Sequence, residues 1–395
     1  MKFSNLTERV SGEGSEAWKI HYAALQASAA GRKVINLCIG DPNFDAPAVA
    51  TEAAIKALRA GDSHYADIPG RPELRAAIAE HFHATTGVPA EPENAIFFAG
   101  AQNALYAVCQ VLFGQGDEVI VPEPTYVTYE ATIQASGATI VKVRSPAKAD
   151  FHIDLEALAA AVTPRTRGLV FCNPNNPTGV VMTRTELEAI ADLARKHDLW
   201  LAVDEVYSGI TFERPHISIA GLPGMKERTA TVSSLAKSHA MPGFRAGWVI
   251  GPRALVDHLE RLSLCMLYGL PGFIQQAALA AITQGQGDAD AMHAAYRRRR
   301  DLVVAELSKV QTLRVLQPEG GMFVLVGVEA TGFGANDFAW RLLRDKDVAV
   351  LPADAFGPSA KGHVRMSMGL EDSDLAEAAK RIGDFCHGLT AAKAP

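Results

Sequence analysis

Apolar residues along this chain fall into two patterns. Short continuous runs recur: Ala95-Ile-Phe-Phe98, Glu118-Val-Ile-Val121, Ala138-Thr-Ile-Val-Lys-Val143, Gly168-Leu-Val-Phe-Cys172, Leu199-Trp-Leu-Ala-Val203, Thr229-Ala-Thr-Val232 and Ala246-Gly-Trp-Val-Ile-Gly251. Runs that are apolar at consecutive positions suit strands covered on both faces, as in parallel sheets. Between them the spacing turns helical, as over Asn103 to Phe113 and onward from Thr183. The alternation from about Pro47 to Gln284 predicts an α/β region, a mostly parallel sheet flanked by helices. Beyond Gln286 come a long helical pattern, Ala291 to Val310, strands at Gly321-Met-Phe-Val-Leu-Val326 and Val348-Ala-Val-Leu351, and a terminal helix. This part, with the N-terminal segment, predicts a smaller α+β domain. The expected division is 46–285 for the large domain and 1–45 with 286–395 for the small one, including an N-terminal arm.

Length and charge narrow the class. A chain of 395 residues, 48% hydrophobic, is long enough for two domains and a large core. The formal net charge of -6 carries no nucleic-acid footprint. The basic run Arg297-Arg-Arg-Arg300 lies inside a helical pattern and reads as a solvated helix face. Cys38, Cys109, Cys172 and Cys265 stand in apolar context without paired spacing, which predicts buried free thiols and no metal site. The start of the chain has no apolar signal core, and no run reaches membrane-spanning length. A cytoplasmic location without membrane partners is the expectation.

Candidate chemistry sits at strand ends. The stretch Ser233-Ser-Leu-Ala-Lys-Ser-His-Ala-Met-Pro-Gly-Phe-Arg245 holds one lysine, Lys237, among small residues. A deprotonated lysine amine can form a Schiff base with an aldehyde. Ser234 and Arg245 are groups that a phosphate needs. Upstream, Asn173-Pro-Asn-Asn-Pro-Thr-Gly179 opens a turn at a strand end, where open α/β sheets place their ligands. The run Leu199 to Val203 leads into Asp204, Glu205 and Tyr207. A buried carboxylate such as Asp204 needs a cationic partner, and Glu205 alternates to the other face. Ala99-Gly-Ala-Gln102 lies between a strand and a helix, where backbone N–H groups make an anion site. Each feature has an ordinary reading: a surface lysine, a local cap, a plain turn. The set together points to one cofactor.

This order of motifs resembles the class I aminotransferases, pyridoxal phosphate enzymes of fold type I, over nearly the whole chain. Leu37-Cys-Ile-Gly-Asp-Pro-Asn-Phe44 and Gly362-His-Val-Arg-Met-Ser-Met-Gly369 extend the likeness to both ends. The resemblance implies that Lys237 binds the cofactor aldehyde and then shuttles a proton at the substrate Cα. It implies that Asp204 pairs with the pyridine nitrogen, and that Tyr207 and Asn176, rather than Asn175, bond the ring oxygen. Tyr126 stacks on the ring, and Ala101, Gln102, Ser234 and Arg245 take the phosphate. Tyr65 comes from the partner subunit of a homodimer. Arg365 grips the substrate α-carboxylate, with Gly40 and Asn176 beside it. Two positions depart from the family pattern. Ala236 stands where serine is usual and Pro242 where threonine is usual, which removes a hydroxyl near the phosphate and stiffens the loop before Arg245.

Trp18-Lys-Ile-His-Tyr22, Ala101-Gln-Asn-Ala-Leu-Tyr106, Lys237-Ser-His-Ala-Met241 and Leu264-Cys-Met-Leu-Tyr-Gly269 resemble bacterial arginine–pyruvate transaminases in particular. Aspartate-specific relatives carry a cation where this chain has Gln102, or near Leu264 and Cys265. Their absence argues against an acidic substrate. Glu13 and Glu16 are the candidate partners for a cationic side chain, with an ordinary N-terminal arm as the alternative. Other readings stay open: an aspartate or aromatic aminotransferase, a β-lyase acting on cysteine conjugates, or a non-catalytic regulator. Regulators on this fold carry a DNA-binding domain ahead of it, for which the residues before Gly40 leave no room.

Overall fold

The computed structural model describes residues 1–10 and 18–391, so Glu13 and Glu16 lie outside the described residues. The strands, in chain order, are β1 (Ile35–Asn36), β2 (Ala95–Ala99), β3 (Glu118–Glu123), β4 (Thr139–Arg144), β5 (Thr166–Cys172), β6 (Trp200–Asp204) and β7 (Thr229–Ser234). They continue as β8 (Ala246–Ile250), β9 (Arg314–Leu316), β10 (Phe323–Gly327), β11 (Val348–Ala349), β12 (Leu351–Pro352) and β13 (His363–Ser367). Seven form one sheet in the order β2-β8-β7-β6-β5-β3-β4. Its pairs are parallel except those of β8, which runs antiparallel to β2 and β7. All seven predicted runs are strands of this sheet, and the α/β expectation holds.

Alternation explains why the runs are apolar throughout. Val170 and Ala202 feed one apolar cluster, with Leu105 and Val108 of the helix Ala101–Leu112. Leu169, Phe171, Leu201 and Val203 feed another, with Leu187 and Ile190 of the helix Arg184–His197. Both faces are dry, so neither parity along a strand tolerates polar residues until the strand ends. Truncating Leu105 or Leu187 to alanine should cost about 2–5 kcal/mol. Thr183 caps the second helix, and Glu186 completes a capping box with it.

The second sheet is antiparallel, β12-β13-β10-β9, and β1 pairs with β11 in parallel. The predicted strand Val348 to Leu351 is split here. Its first half joins β1 and its second half joins β13, so one apolar run serves two sheets.

Two further expectations are corrected. Cys265 is exposed on the helix Arg253–Met266, whereas Cys38, Cys109 and Cys172 are buried; none of the five cysteines forms a disulfide. The arginine run is a solvated face only at Arg297 and Arg298, which are exposed. Arg299 and Arg300 are 2% and 3% exposed on the helix Gln286–Leu307. Arg300 pairs with Glu213 and Asp301, Arg299 with Glu371 and Asp372. Distant acids that neutralise and hydrogen-bond these guanidiniums let them be buried. Among the described residues no helix is long and apolar enough to cross a membrane.

Candidate active site

The parallel strands β5, β6 and β7 end at one edge of the large sheet, with Cys172 in register beside Asp204 and Asp204 beside Val232. Chemistry gathers there because a strand end is where a buried face first meets open space. After β5 the chain turns through Asn173 to Gly179. Asn175 builds that turn: its Oδ1 accepts from Thr178 N at 3.2 Å and Thr178 Oγ1 at 2.8 Å. Asn176 is thereby released toward the cavity, where its Oδ1 accepts from Arg365 Nη1 at 2.9 Å. Past β6, Glu205 turns away as expected, accepting from Ser218 Oγ at 2.8 Å and lying 3.2 Å from His216.

A cavity of about 500 Å³ opens at this edge. Its lining includes Gly40, Ala101, Gln102, Tyr126, Asn176, Asp204, Tyr207, Ser234, Lys237, Arg245 and Arg365. Tyr65 is not among the lining residues. It is 86% exposed, its ring set edge-on to Tyr268 at 4.9 Å, in a separate surface groove.

Lys237 sits in the short helix Leu235–Ser238 that follows β7, and its Nζ donates to Gly40 O. Burial lowers its ammonium from the usual 10.5 to about 8; the Asp41 carboxylate opposes that fall, and Arg365 and Arg245 add to it. Asp204 is pushed the other way, up from 3.8 to about 6 by burial, while a hydrogen bond from Tyr129 holds it down. Tyr129 Oη donates to Asp204 Oδ2 at 2.7 Å, and Val206 N donates to Oδ1 at 3.2 Å. Arg365, on β13, is 1% exposed, and burial lowers it to about 10. Its Nη2 donates to Cys38 O at 2.6 Å, its Nε has no partner, and Phe323 and Phe356 flank it at 4.0 and 4.8 Å.

The other end of the cavity is a backbone cradle. Gly100, at φ +84°, leads into the helix Ala101–Leu112. A Cβ on Gly247 would come within 2.6 Å of Gly100 C and 2.7 Å of Ala101 N, so only glycine lets β8 pass this close to the helix start. Arg245 Nη1 and Nη2 donate to Pro242 O at 2.8 Å and Ala99 O at 3.3 Å. Pro242 opens the single turn Pro242–Phe244 before it, which accommodates the proline's missing N–H. Gln102 turns its amide to Thr128 and Thr132, at 2.7 and 2.8 Å, and leaves its backbone at the helix start.

Sequence reasoning missed Tyr129. It belongs to the helix Thr128–Ala135, with its ring edge-on to Tyr126 at 6.1 Å. The available signal was its spacing: one helical turn beyond Tyr126, on the same face. Phe323, under the Arg365 guanidinium, was also missed; within its apolar strand it looks like core.

The donor set fits pyridoxal phosphate. A half-buried lysine and a buried carboxylate lie in one cavity with a helix N-terminus, a serine and an arginine. The glycine cradle keeps side chains out of the anion end, and Asp204 is a buried carboxylate whose charge calls for a cation.

Comparison with known proteins agrees. The family model for aminotransferase class I and II matches residues 32–382. The arginine–pyruvate transaminase of Pseudomonas aeruginosa is 50% identical over 382 residues, covering 97% of each chain. An aspartate aminotransferase of Musicola paradisiaca is 34% identical, covering 92% of each. The solved aspartate aminotransferase from Thermus thermophilus with maleate superposes with a TM-score of 0.92 at 34% identity, covering 97% of this chain and 99% of that one. With the match running from the segment before Gly40 to beyond Arg365, the chain belongs to the class I and II aminotransferases, enzymes that move an amino group between an amino acid and an oxo acid.

Proposed function

We propose that this aminotransferase is a pyridoxal phosphate enzyme that takes the amino group of L-arginine and gives it to pyruvate, in two half-reactions using the same cavity in turn. The observation that carries the reading is the convergence of the half-buried Lys237 with the buried Asp204 and Arg365 on one cavity, with Arg365 in no ion pair among the described residues. The choice of arginine and pyruvate rests on 50% identity to the Pseudomonas aeruginosa enzyme.

Pyridoxal phosphate would supply an aldehyde carbon to carry the amino group and a ring to withdraw electrons from the substrate Cα. Lys237 would hold that carbon, Asp204 the ring nitrogen, Tyr207 and Asn176 the ring oxygen. Tyr126 would cover the ring. The first-turn N–H groups at Ala101 and Gln102, with Ser234 and Arg245, would hold the phosphate. Arg365 receives the donor's α-carboxylate: its fork is oriented by Asn176 and Cys38 O and stripped of water by Phe323 and Phe356. Gly40 flanks that carboxylate, because a side chain there would strike Phe323. Lys237 Nζ takes the Cα proton and returns it. An amine at about 8 keeps a usable neutral fraction at physiological pH while remaining a competent acid.

Tyr65 would complete the cofactor site of a second copy. The exposed Tyr65 and Tyr268, at 86% and 54%, and the groove along Asp62–Ala66 support a homodimer through this face. The separation of the seven-stranded sheet from the four-stranded sheet and the β1-β11 pair supports the division into 46–285 and 1–45 with 286–395. Five cysteines with no disulfide between them suit a cytoplasmic location.

The test is a screen of amino donors against pyruvate and 2-oxoglutarate. Arginine with pyruvate should be the most efficient pair. Efficiency for aspartate equal to or above that for arginine would overturn the arginine assignment. Release of pyruvate and ammonia from cysteine conjugates, with no amino transfer to any acceptor, would favour a β-lyase.

A further inference from the structure

Arg299 is one of two buried arginines in the Arg297–Arg300 run. Arg299 reaches three separate stretches of chain. Its Nη1 donates to Asn43 Oδ1 at 2.7 Å and to Met368 O at 3.3 Å, and its Nε donates to Asp372 Oδ1 at 3.0 Å. Phe44 lies under its guanidinium at 4.6 Å. Asn43 in turn donates from Nδ2 to Glu371 Oε1 at 2.7 Å.

Two of these stretches are the walls of the carboxylate site. The segment from Leu37 to Phe44 supplies Cys38 O to Arg365 and Gly40 O to Lys237. The residues after β13 continue directly from Arg365, and Ser367 N donates to Leu37 O at 2.9 Å. Gly369 passes so close to Asp41 O that a Cβ there would collide with it. The two stretches are thus laced together just beyond Arg365, and Arg299 closes the lacing from behind.

We propose that Arg299 is a positioning residue for substrate-carboxylate recognition: through Asn43 and Met368 it fixes the Leu37–Phe44 segment against the end of β13, and so sets how Arg365 faces the cavity. This rests on the reading that Arg365 receives the carboxylate. The rigid guanidinium fork is what the task requires, because an ammonium is a point donor and cannot span the Asn43, Met368 and Asp372 acceptors at once. Arg299 touches neither the cavity nor Lys237, so its removal should weaken substrate binding and spare the proton transfer.

The experiment compares Arg299→Lys, Asn43→Ala and Arg365→Lys as cofactor-loaded, folded enzymes. Three quantities are read: KM and kcat with the preferred donor and acceptor, calorimetric affinity for pentanoate, which binds by its carboxylate and cannot be transaminated, and the cofactor absorption band. Arg299→Lys and Asn43→Ala should each raise KM and weaken pentanoate binding roughly tenfold, the scale of one lost hydrogen bond to a charged group. Their kcat should stay within about twofold and their absorption unchanged, because the chemical step is untouched. Arg365→Lys should raise KM further. If Arg365→Lys raises KM while the other two leave KM and pentanoate affinity unaltered, the positioning role is wrong and the carboxylate reading stands. If Arg365→Lys also leaves KM unaltered, the carboxylate reading falls, and the proposal with it. Should Arg299→Lys fail to fold, exposed Asn43→Ala decides alone.

Discussion

Arg365 and Arg299 stand on the two sides of one wall, 1% and 2% exposed, and their surroundings differ in kind. Arg299 has Asp372, Glu371, Asn43 and a carbonyl around it. Arg365 has an amide, a carbonyl, two aromatic faces and an unpartnered Nε. A buried cation with its acids in place holds structure together. A buried cation without one is held ready for an anion, and folding bears the desolvation cost of keeping it so. The same contrast sorts the other buried charges. Glu205, with Ser218 and His216, belongs to the closed kind; Asp204 and Lys237, shifted toward their neutral forms by burial, belong to the open kind.

The contrast can be broken at each charge. The largest effect should come from Asp204→Asn, which keeps shape and loses the anion. Its turnover should fall by about 10²–10³, typical for a removed electrostatic group, with the fold intact. Activity within a few-fold of the parent would remove Asp204 from the open set. Next, Arg299→Met should lose about 1–3 kcal/mol in urea unfolding, because it strands Asn43 Oδ1 and the Met368 carbonyl and breaks one of the ion pairs of Asp372, which keeps Arg298. Arg365→Met should cost less stability, since it also removes a buried cation that no carboxylate neutralises. Equal losses would erase the distinction between the two arginines.

A smaller effect lies in pH. In cofactor-free protein the Asp204 carboxyl titrates at about 6 against an ordinary 3.8. Its folded pKa is raised, so its contribution to stability is fully present below 3.8 and is lost as pH rises through about 6. The stability difference between parent and Asp204→Asn should therefore shift by roughly 3 kcal/mol across that window. A flat difference would contradict the burial of the charge. Tyr129→Phe, which removes the phenol donor, should push the Asp204 titration higher still and cost about 1.5–3 kcal/mol at neutral pH. A titration left in place would mean that Tyr129 packs without restraining the carboxylate.

Two of the open charges, Asp204 and Lys237, were legible in the sequence because each stands where a continuous apolar run stops; Arg365, in the middle of β13, was legible only through the family resemblance. Asp204 ends β6, Asn176 follows β5, and Lys237 follows β7, so pattern and chemistry coincide at neighbouring positions. The choice of Asn176 over Asn175 came from the family resemblance, and the turning away of Glu205 from strand alternation. The closed charges were not legible. The acids that neutralise Arg299 and Arg300 include Glu213, Glu371 and Asp372, far from them along the chain, and no local periodicity signals such pairs. Hence Arg299 and Arg300 read as solvated along with the exposed Arg297 and Arg298. Likewise Val348 to Leu351 is one apolar stretch, and only the positions of β1 and β13 divide it. Tyr129 was hidden because a tyrosine on a short amphipathic helix looks like packing until its partner across the sheet is known.

The central claim is that Lys237 is the amine that does the chemistry. Borohydride reduction of the protein loaded with pyridoxal phosphate, followed by peptide mass mapping, tests it most directly. One cofactor mass per chain is expected on the peptide carrying Lys237, with none after Lys237→Ala. The label on another lysine, or undiminished labelling and wild-type turnover in Lys237→Ala, would contradict the account.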